Sequence, residues 1–324
     1  MSHWSSRDIA TLRRLRTVFL EGTAQTGDYW KTPADLELYD RTFGERIGWK
    51  WDAVLAELAA RDWRPRSRRL VDFGCGSGVA GRRVLGAYSG FEDVHLTDRS
   101  RVATRFALDR IVRDHPNLHV RAGDHPEVDS DTLLVVSHVL NELSESDVTT
   151  LRRLAQSAGE ILWVEAGSHA DSRLLVGAIR EPLRASHRVI APCTHRETCG
   201  LLAPHNDRHW CHSFAKPPSA IFQTASWSQF SNEISIDLRS LPYSFLAMTQ
   251  HSEAAGPPPD HSRVIGRPRK YKGYQKVLRC NATGVEDVRF QKRDSRETWD
   301  FLTELPADPI YREPSSPTPR IARG

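Results

Sequence analysis

Nowhere along its 324 residues does the chain carry an apolar run approaching the roughly 20 residues that a membrane helix needs. Its opening, Met1-Ser2-His3-Trp4, lacks a basic segment followed by an apolar one, so no secretory leader is expected. The chain is therefore expected in the cytoplasm, with no membrane partner. Cysteine is scarce, with five residues in all, and a reducing compartment argues against pairing them as disulfides. Large net charge is lacking too: the balance is +4, with 39% hydrophobic and 27% charged residues. That composition excludes a disordered or fibrous chain and leaves room for one large domain with additions or two modest ones.

What is present is a glycine-rich turn. The apolar run Leu70-Val71-Asp72-Phe73 empties into Gly74-Cys75-Gly76-Ser77-Gly78, and an apolar helical pattern follows from Val79 to Leu85. A strand, a glycine turn and a helix in that order let backbone come close to a ligand, because a side chain at the glycines would occupy the ligand's place. The dinucleotide fingerprint is G-x-G-x-x-G over a pyrophosphate. Here the order is D-F-G-C-G-S-G, with Asp72 just before the glycines, where a pyrophosphate would be repelled. This turn resembles the first motif of the class I S-adenosylmethionine (SAM) methyltransferases. About 20 residues on, Asp98 follows the strand pattern Val94 to Thr97, where an acidic residue would hold ribose hydroxyls. The next strand pattern, Leu118 to Ala122, is followed by Asp124, where that family places a carboxylate for the adenine amino group.

From Arg69 onward strand and helix patterns alternate, which predicts a parallel sheet with crossover helices. The expected organisation is helices over residues 1–65 and a Rossmann-like core over 66–186. A Cys- and His-rich insertion follows over 187–240, then strands and a last helix over 241–305 that complete the sheet. The Pro-rich end, 306–324, is expected to be disordered. The fourth strand, Thr132 to Val136, leads into Ser137-His138-Val139-Leu140-Asn141-Glu142-Leu143, which should open onto the ligand crevice. Ser137 is counted with the cofactor contacts. His138, Asn141 and Glu142 are the side chains to test near a reacting group, with capping and packing of the turn as the alternative. No N-P-P-Y or D-P-P-Y stands there, which weighs against methylation of an exocyclic base amine.

Residues 187–240 have weak periodicity, and so long an irregular stretch needs another source of order. Metal ligation by Cys193, Cys199, Cys211 and the remote Cys280 is the reading adopted. Four thiolates hold either zinc or an iron–sulfur cluster, and spacing does not separate the two. His195, His205, His209 and His212 could replace a Cys ligand if the metal were zinc. The spacing lacks the C-x3-C-x2-C triplet of radical SAM enzymes. Cys75 belongs to the glycine turn and is left out of the metal set.

One stretch is strongly basic: Arg263 to Arg279 carries seven Arg and Lys and no acid. A solvated strand face would explain it. Contact with nucleic-acid phosphates would too, through Arg263, Arg267, Arg269, Lys270, Lys272 and Lys276, with Tyr271 and Tyr274 offering ring faces.

Taken together, the glycine motif, the S-H-V-L-N-E-L segment, the C-x-H…C…W-C-H cluster and R-V-I-G-R-P-R-K…G…L-R-C resemble the Rsm22-like methyltransferase-like family of mitochondrial and bacterial small-ribosomal-subunit proteins. The resemblance covers roughly residues 10–295. It implies a class I SAM-dependent methyltransferase fold, association with small-subunit ribosomal RNA (rRNA) during ribosome assembly, and a [4Fe-4S] cluster on Cys193, Cys199, Cys211 and Cys280. Methyl transfer, an assembly role without turnover, and a small-molecule methyltransferase with structural zinc all stay open. A monomer is expected.

Overall fold

The computed structural model describes residues 3–21, 30–251, 260–313 and 320–321. The chain divides into two compact units: residues 1–55, 65–164 and 215–241 make the first, and residues 56–64, 165–214 and 242–324 the second.

The first unit is built on five parallel strands. They are β1 (Arg69–Phe73), β2 (Asp93–Thr97), β3 (His119–Ala122), β4 (Thr132–Ser137) and β5 (Glu160–Ala166), in the order β3-β2-β1-β4-β5. β4 is buried over its first five residues, as a parallel strand covered on both faces must be. Order reverses between β1 and β4, so their C-terminal ends flank a crevice, which is where such sheets bind ligands. This is the Rossmann-like α/β order expected for the methyltransferase superfamily.

Crossover helices Val79–Ala87, Arg101–Asp114 and Glu145–Ser157 connect the strands. The last opens on a capping box in which Ser144 and Asp147 satisfy each other's backbone N–H. N-terminal helices Ser6–Glu21 and Pro33–Tyr39 start on Ser5 and Thr32 caps, and Glu45–Ala60 follows. Phe19, Trp30, Tyr39 and Phe43 meet edge to face between them.

The second unit has β6 (Arg188–Ala191) antiparallel to β8 (Leu241–Thr249), with β7 (Ser213–Ala215) also on β8. A separate antiparallel sheet holds β9 (His261–Tyr271), β10 (Tyr274–Asn281), β11 (Gly284–Phe290), β12 (Ile310–Arg312) and β13 (Arg320–Ile321) in the order β12-β9-β10-β11-β13. Among the described residues no helix is long and apolar enough to cross a membrane.

Three expected boundaries shift. β9, β10 and β11 do not complete the parallel sheet, because tight turns with positive-φ Gly273 and Gly284 fold them onto one another. The 187–240 insertion is divided between the units at residue 215. Beyond that point Trp227, Phe230 and Ile234 form the buried stripe of helix Ala225–Ile234, and this helix lies against the N-terminal one through Trp4–Ser226 and Arg13–Glu233 contacts. The 306–324 segment is ordered in part. Tyr311 is 5% exposed in an apolar cluster and β12 pairs with β9, while β13 pairs with β11. Residues 314–319 and 322–324 lie outside the described residues.

Candidate functional site: a glycine turn and a thiol-lined cavity

In the first unit the turn after β1 takes the conformation its composition allows. Gly74, Gly76 and Gly78 have φ of +67°, +53° and +75°. A Cβ at Gly74 would stand 2.5 Å from Val139 Cγ1, and one at Gly78 2.9 Å from Ala107 Cβ. At Gly76 a Cβ would meet nothing within 4 Å, so the chain approaches open space there. The Gly76 N–H donates to Asp98 Oδ2 at 2.9 Å, and Asp98 Oδ1 accepts from Ser100 N. The carboxylate at the end of β2 is thus fixed beside the turn.

Asp72 is fully buried, and its Oδ2 accepts from Gly81 N at 3.0 Å. Burial pushes its carboxyl up to about 7 against the pull of the Gly81 N–H, and the Asp98 charge adds to the rise. Asp72 Oδ1 and Ser77 Oγ are buried without a hydrogen-bond partner among the described residues. Unpaired acceptors beside an open glycine fit a ligand that brings its own donors. Burial, with Asp98 and Asp72 nearby, raises the Cys75 thiol well above its ordinary range, so this cysteine is a protonated packing group.

Ser137 ends β4. Its Oγ accepts from Trp51 Nε1 at 3.0 Å and lies 3.2 Å from His138 Nδ1. His138 has a φ of +57°, a left-handed conformation that is rare for a side-chain-bearing residue. Lys50 Nζ stands 3.0 Å from its Nε2. An ammonium only donates, so Nε2 accepts and the ring proton sits on Nδ1. Burial, then the Lys50 and Arg46 charges, hold this imidazole well below its ordinary value. Glu142 is ion-paired with Arg99 at 3.0 Å. Asn141 and Asp124 are exposed.

In the second unit Cys193, Cys199, Cys211 and Cys280 line one cavity together with Arg180, Arg263 and Pro192. The cavity has room for about one water molecule, so the thiols are not packed solid against one another. The remote Cys280, on β10, is brought to the other three. All four are free thiols. Burial, then the neighbouring sulfurs, push Cys280 far up and Cys199 up to about 11; burial lifts Cys211 to about 12 against the pull of Arg263. Among the described residues, no three His, Cys, Asp or Glu side chains form a group that could hold a metal ion. His195 lies 3.8 Å from Cys280 Sγ through Nε2, and burial with the Arg180 charge lowers it to about 4.

Sequence reasoning missed Arg180 at this cavity and gave Arg263 another role. Arg180 is 2% exposed and donates from Nε to Cys193 Sγ at 3.3 Å. Arg263 is equally buried; both its terminal nitrogens reach the Glu57 carboxylate, and one donates to Ser213 Oγ at 3.0 Å. Glu57 also accepts from Arg61 at 2.7 Å. Charged residues inside apolar helical runs, as in L-L-V-G-A-I-R and V-L-A-E-L, were the available signal.

This corrects one expectation: Arg263 is a buried ion-pair partner and cannot face a nucleic acid. The other basic residues lie further out. Arg267 sits 4.0 Å over the Phe214 ring, Arg269 pairs with Asp287, and Lys270 donates to Thr303 O at 3.3 Å. Lys272 is exposed in the hairpin turn and Lys276 is half-buried.

Three comparisons bear on this geometry. A family model described as "Mitochondrial small ribosomal subunit Rsm22" matches residues 50–298. No curated protein matches the chain. Among solved structures, magnesium protoporphyrin IX methyltransferase (ChlM) from Synechocystis PCC 6803 with bound SAH is 13% identical, with a TM-score of 0.40 over 74% of this chain and 100% of that one. The O-methyltransferase NcsB1 from neocarzinostatin biosynthesis is 17% identical, with a TM-score of 0.40 over 75% of this chain and 69% of that one. At these scores neither carries an argument about activity.

Proposed function

The chain belongs to the Rsm22 family of mitochondrial small-ribosomal-subunit proteins, and from that premise we propose that it binds SAM and acts on or docks to small-subunit rRNA in ribosome assembly. The observation that carries the SAM reading is the turn at Gly76, where a Cβ would meet nothing within 4 Å and whose N–H donates to the Asp98 carboxylate, with the buried, unpaired oxygens of Asp72 and Ser77 in the same turn. Asp98 is placed to meet ribose hydroxyls, Asp72 offers an acceptor to an ammonium, Gly76 keeps a side chain out of the way, and Gly74 and Gly78 let the turn close against Val139 and Ala107. Asp124 and Ser137 complete the proposed contacts. When bound, SAM supplies an electrophilic methyl group, so the protein's part would be to align an acceptor and exclude water.

Docking without turnover is the second reading, and a specific arrangement favours it. The side chains nearest the end of β4 are engaged: His138 is held by Lys50 and Ser137, and Glu142 by Arg99. They position the turn rather than offer a poised base.

Cys193, Cys199, Cys211 and Cys280 are proposed to hold a [4Fe-4S] cluster. A single zinc would draw its sulfurs to Zn–S distances of about 2.3 Å around one point, whereas a cluster is met by thiolates spread around a wider cage. Four thiols lining one cavity, one of them accepting an N–H from Arg180, support a shared thiolate site, and the choice of cluster over zinc rests on the family resemblance. Bound there, the cluster would tie the loop of Cys193 and Cys199 to β10.

Two measurements on anaerobically purified protein test the reading. Iron and sulfide should each approach four per chain with zinc absent, as a [4Fe-4S] composition requires. SAM should bind by calorimetry, and Asp98→Ala should weaken it at least tenfold. Stoichiometric zinc without sulfide would sink the cluster, and SAM affinity untouched by Asp98→Ala would sink the crevice. Labelled methyl appearing in immature small-subunit particles decides between turnover and docking.

A further inference from the structure

One face of the β9–β11 sheet is closed. Val264, Val277, Val288 and Phe290 pack there against Leu302 and Tyr311. Alternation along β10 puts Leu278 on the opposite face from Val277, where it joins Ile265, Cys199 and Cys280. Toward the hairpin end that opposite face changes character. Lys276 is paired with Arg269 on β9 and with Arg289 on β11. Directly paired residues of an antiparallel ladder share a face, so three cations stand in one rank.

Beside that rank, Tyr271 and Tyr274 are paired across the turn, their rings 4.8 Å apart and within 9° of parallel. The Arg289 guanidinium lies 3.9 Å over the Tyr274 ring. Arg289, Tyr274 and Tyr271 thus form a stack of planar groups, and its last member, Tyr271, is 47% exposed. The turn itself is Lys272-Gly273, and Lys292 and Arg293 are exposed just past β11. From Arg267 to Lys276 there is no acidic residue.

We propose that this hairpin end is a docking platform for an unpaired stretch of RNA, in which one base stacks as the next layer on Tyr271 and the flanking phosphates meet Arg267, Lys272 and Lys276. The platform rests on the rRNA reading above and narrows it to a form of RNA. Bases inside a duplex already have both faces covered, so only an unpaired base offers a face to a ring. An acidic peptide would satisfy the cations but has no planar group to extend a stack. The parallel tyrosine pair buttressed by Arg289 is what selects the nucleic acid.

Fluorescence anisotropy of the full chain with a labelled unstructured oligoribonucleotide tests this, competed by the same sequence as duplex, by an abasic ribose-phosphate oligomer and by polyglutamate. Tyr271→Ala should weaken binding roughly 5- to 150-fold, the range for one lost base–aromatic stack, while Tyr271→Phe stays within about twofold of wild type. Neither should alter the salt dependence, whereas Lys272→Gln should reduce its slope by about one. Retention of the wild-type melting temperature by Tyr271→Ala shows that the loss is local. The platform is overturned if Tyr271→Ala binds as wild type does, or if duplex, abasic oligomer or polyglutamate competes as well as the unpaired strand. Should wild type bind no RNA at all, the rRNA reading falls with it; should wild type bind and Tyr271→Ala match it, the platform alone falls.

Discussion

The glycine turn and the thiol cavity are built in opposite ways. The turn is assembled from one stretch of chain: Asp72 through Gly81 and then Asp98, joined by backbone N–H bonds to carboxylates. The cavity collects Cys193, Cys199, Cys211 and Cys280 from segments up to 87 positions apart, with Arg180 and Arg263 buried among them. In the turn the backbone carries the geometry, and three positive φ angles would be strained with any other residue. In the cavity the side chains carry it, and buried charges link Glu57, Arg61 and Arg263. A local site tolerates damage elsewhere, whereas a collected one depends on whatever holds its segments together.

The sharpest way to break that contrast is to remove Glu57. It is fully buried and accepts from both Arg61 and Arg263. Glu57→Ala would leave Arg263 buried without a carboxylate, and loss of one partner of a buried pair costs about 3–5 kcal/mol. Denaturant unfolding should show that loss, and under the cluster proposal the iron content of the anaerobically purified variant should fall with it. A loss below about 1 kcal/mol would mean that the cavity does not depend on this network.

A smaller effect separates two glycines of the turn. Gly78→Ala meets Ala107 at 2.9 Å in a left-handed backbone, so strain and overlap add to about 2–5 kcal/mol. Gly76→Ala has no neighbour within 4 Å and costs only the left-handed conformation, about 1–2 kcal/mol. Its new methyl group would stand in the open space, so SAM affinity should drop by at least tenfold even though the variant folds. Equal stability losses in the two, or unchanged SAM binding in Gly76→Ala, would contradict the roles given to them.

The same contrast explains what could be read from sequence. The turn was legible because its constraints are local: glycines at fixed offsets, an acid before them, another at the next strand end. β1 to β4 followed for the same reason. The thiol set was nameable from residue type and from the family resemblance, since nothing local relates Cys280 to Cys193. Arg263 was misread because a basic run on a strand looks alike whether a residue faces water or a buried carboxylate 206 positions away. Residues 306–313 were misread because Pro309 and its neighbours suggested disorder, while Tyr311 contributes an apolar ring and Pro309 O accepts from Val264 N at 2.9 Å.

The smallest expected effect concerns His138, whose imidazole is held low first by burial and then by Lys50 and Arg46. A histidine lowered in the folded protein binds fewer protons than the unfolded chain below about pH 6.5, so its contribution to stability is full above that pH and is lost on acidification. Lys50→Gln keeps a hydrogen-bond donor to Nε2 and removes the charge. The imidazole should then titrate higher, though still below 6.5, because burial is the larger cause. The variant should lose less stability than wild type between about pH 6.5 and 5.5, by under about 1 kcal/mol. NMR titration of the His138 ring together with denaturation at both pH values measures this. An unchanged ring titration would remove Lys50 as the second cause and free His138 to be reconsidered as a proton acceptor at the end of β4.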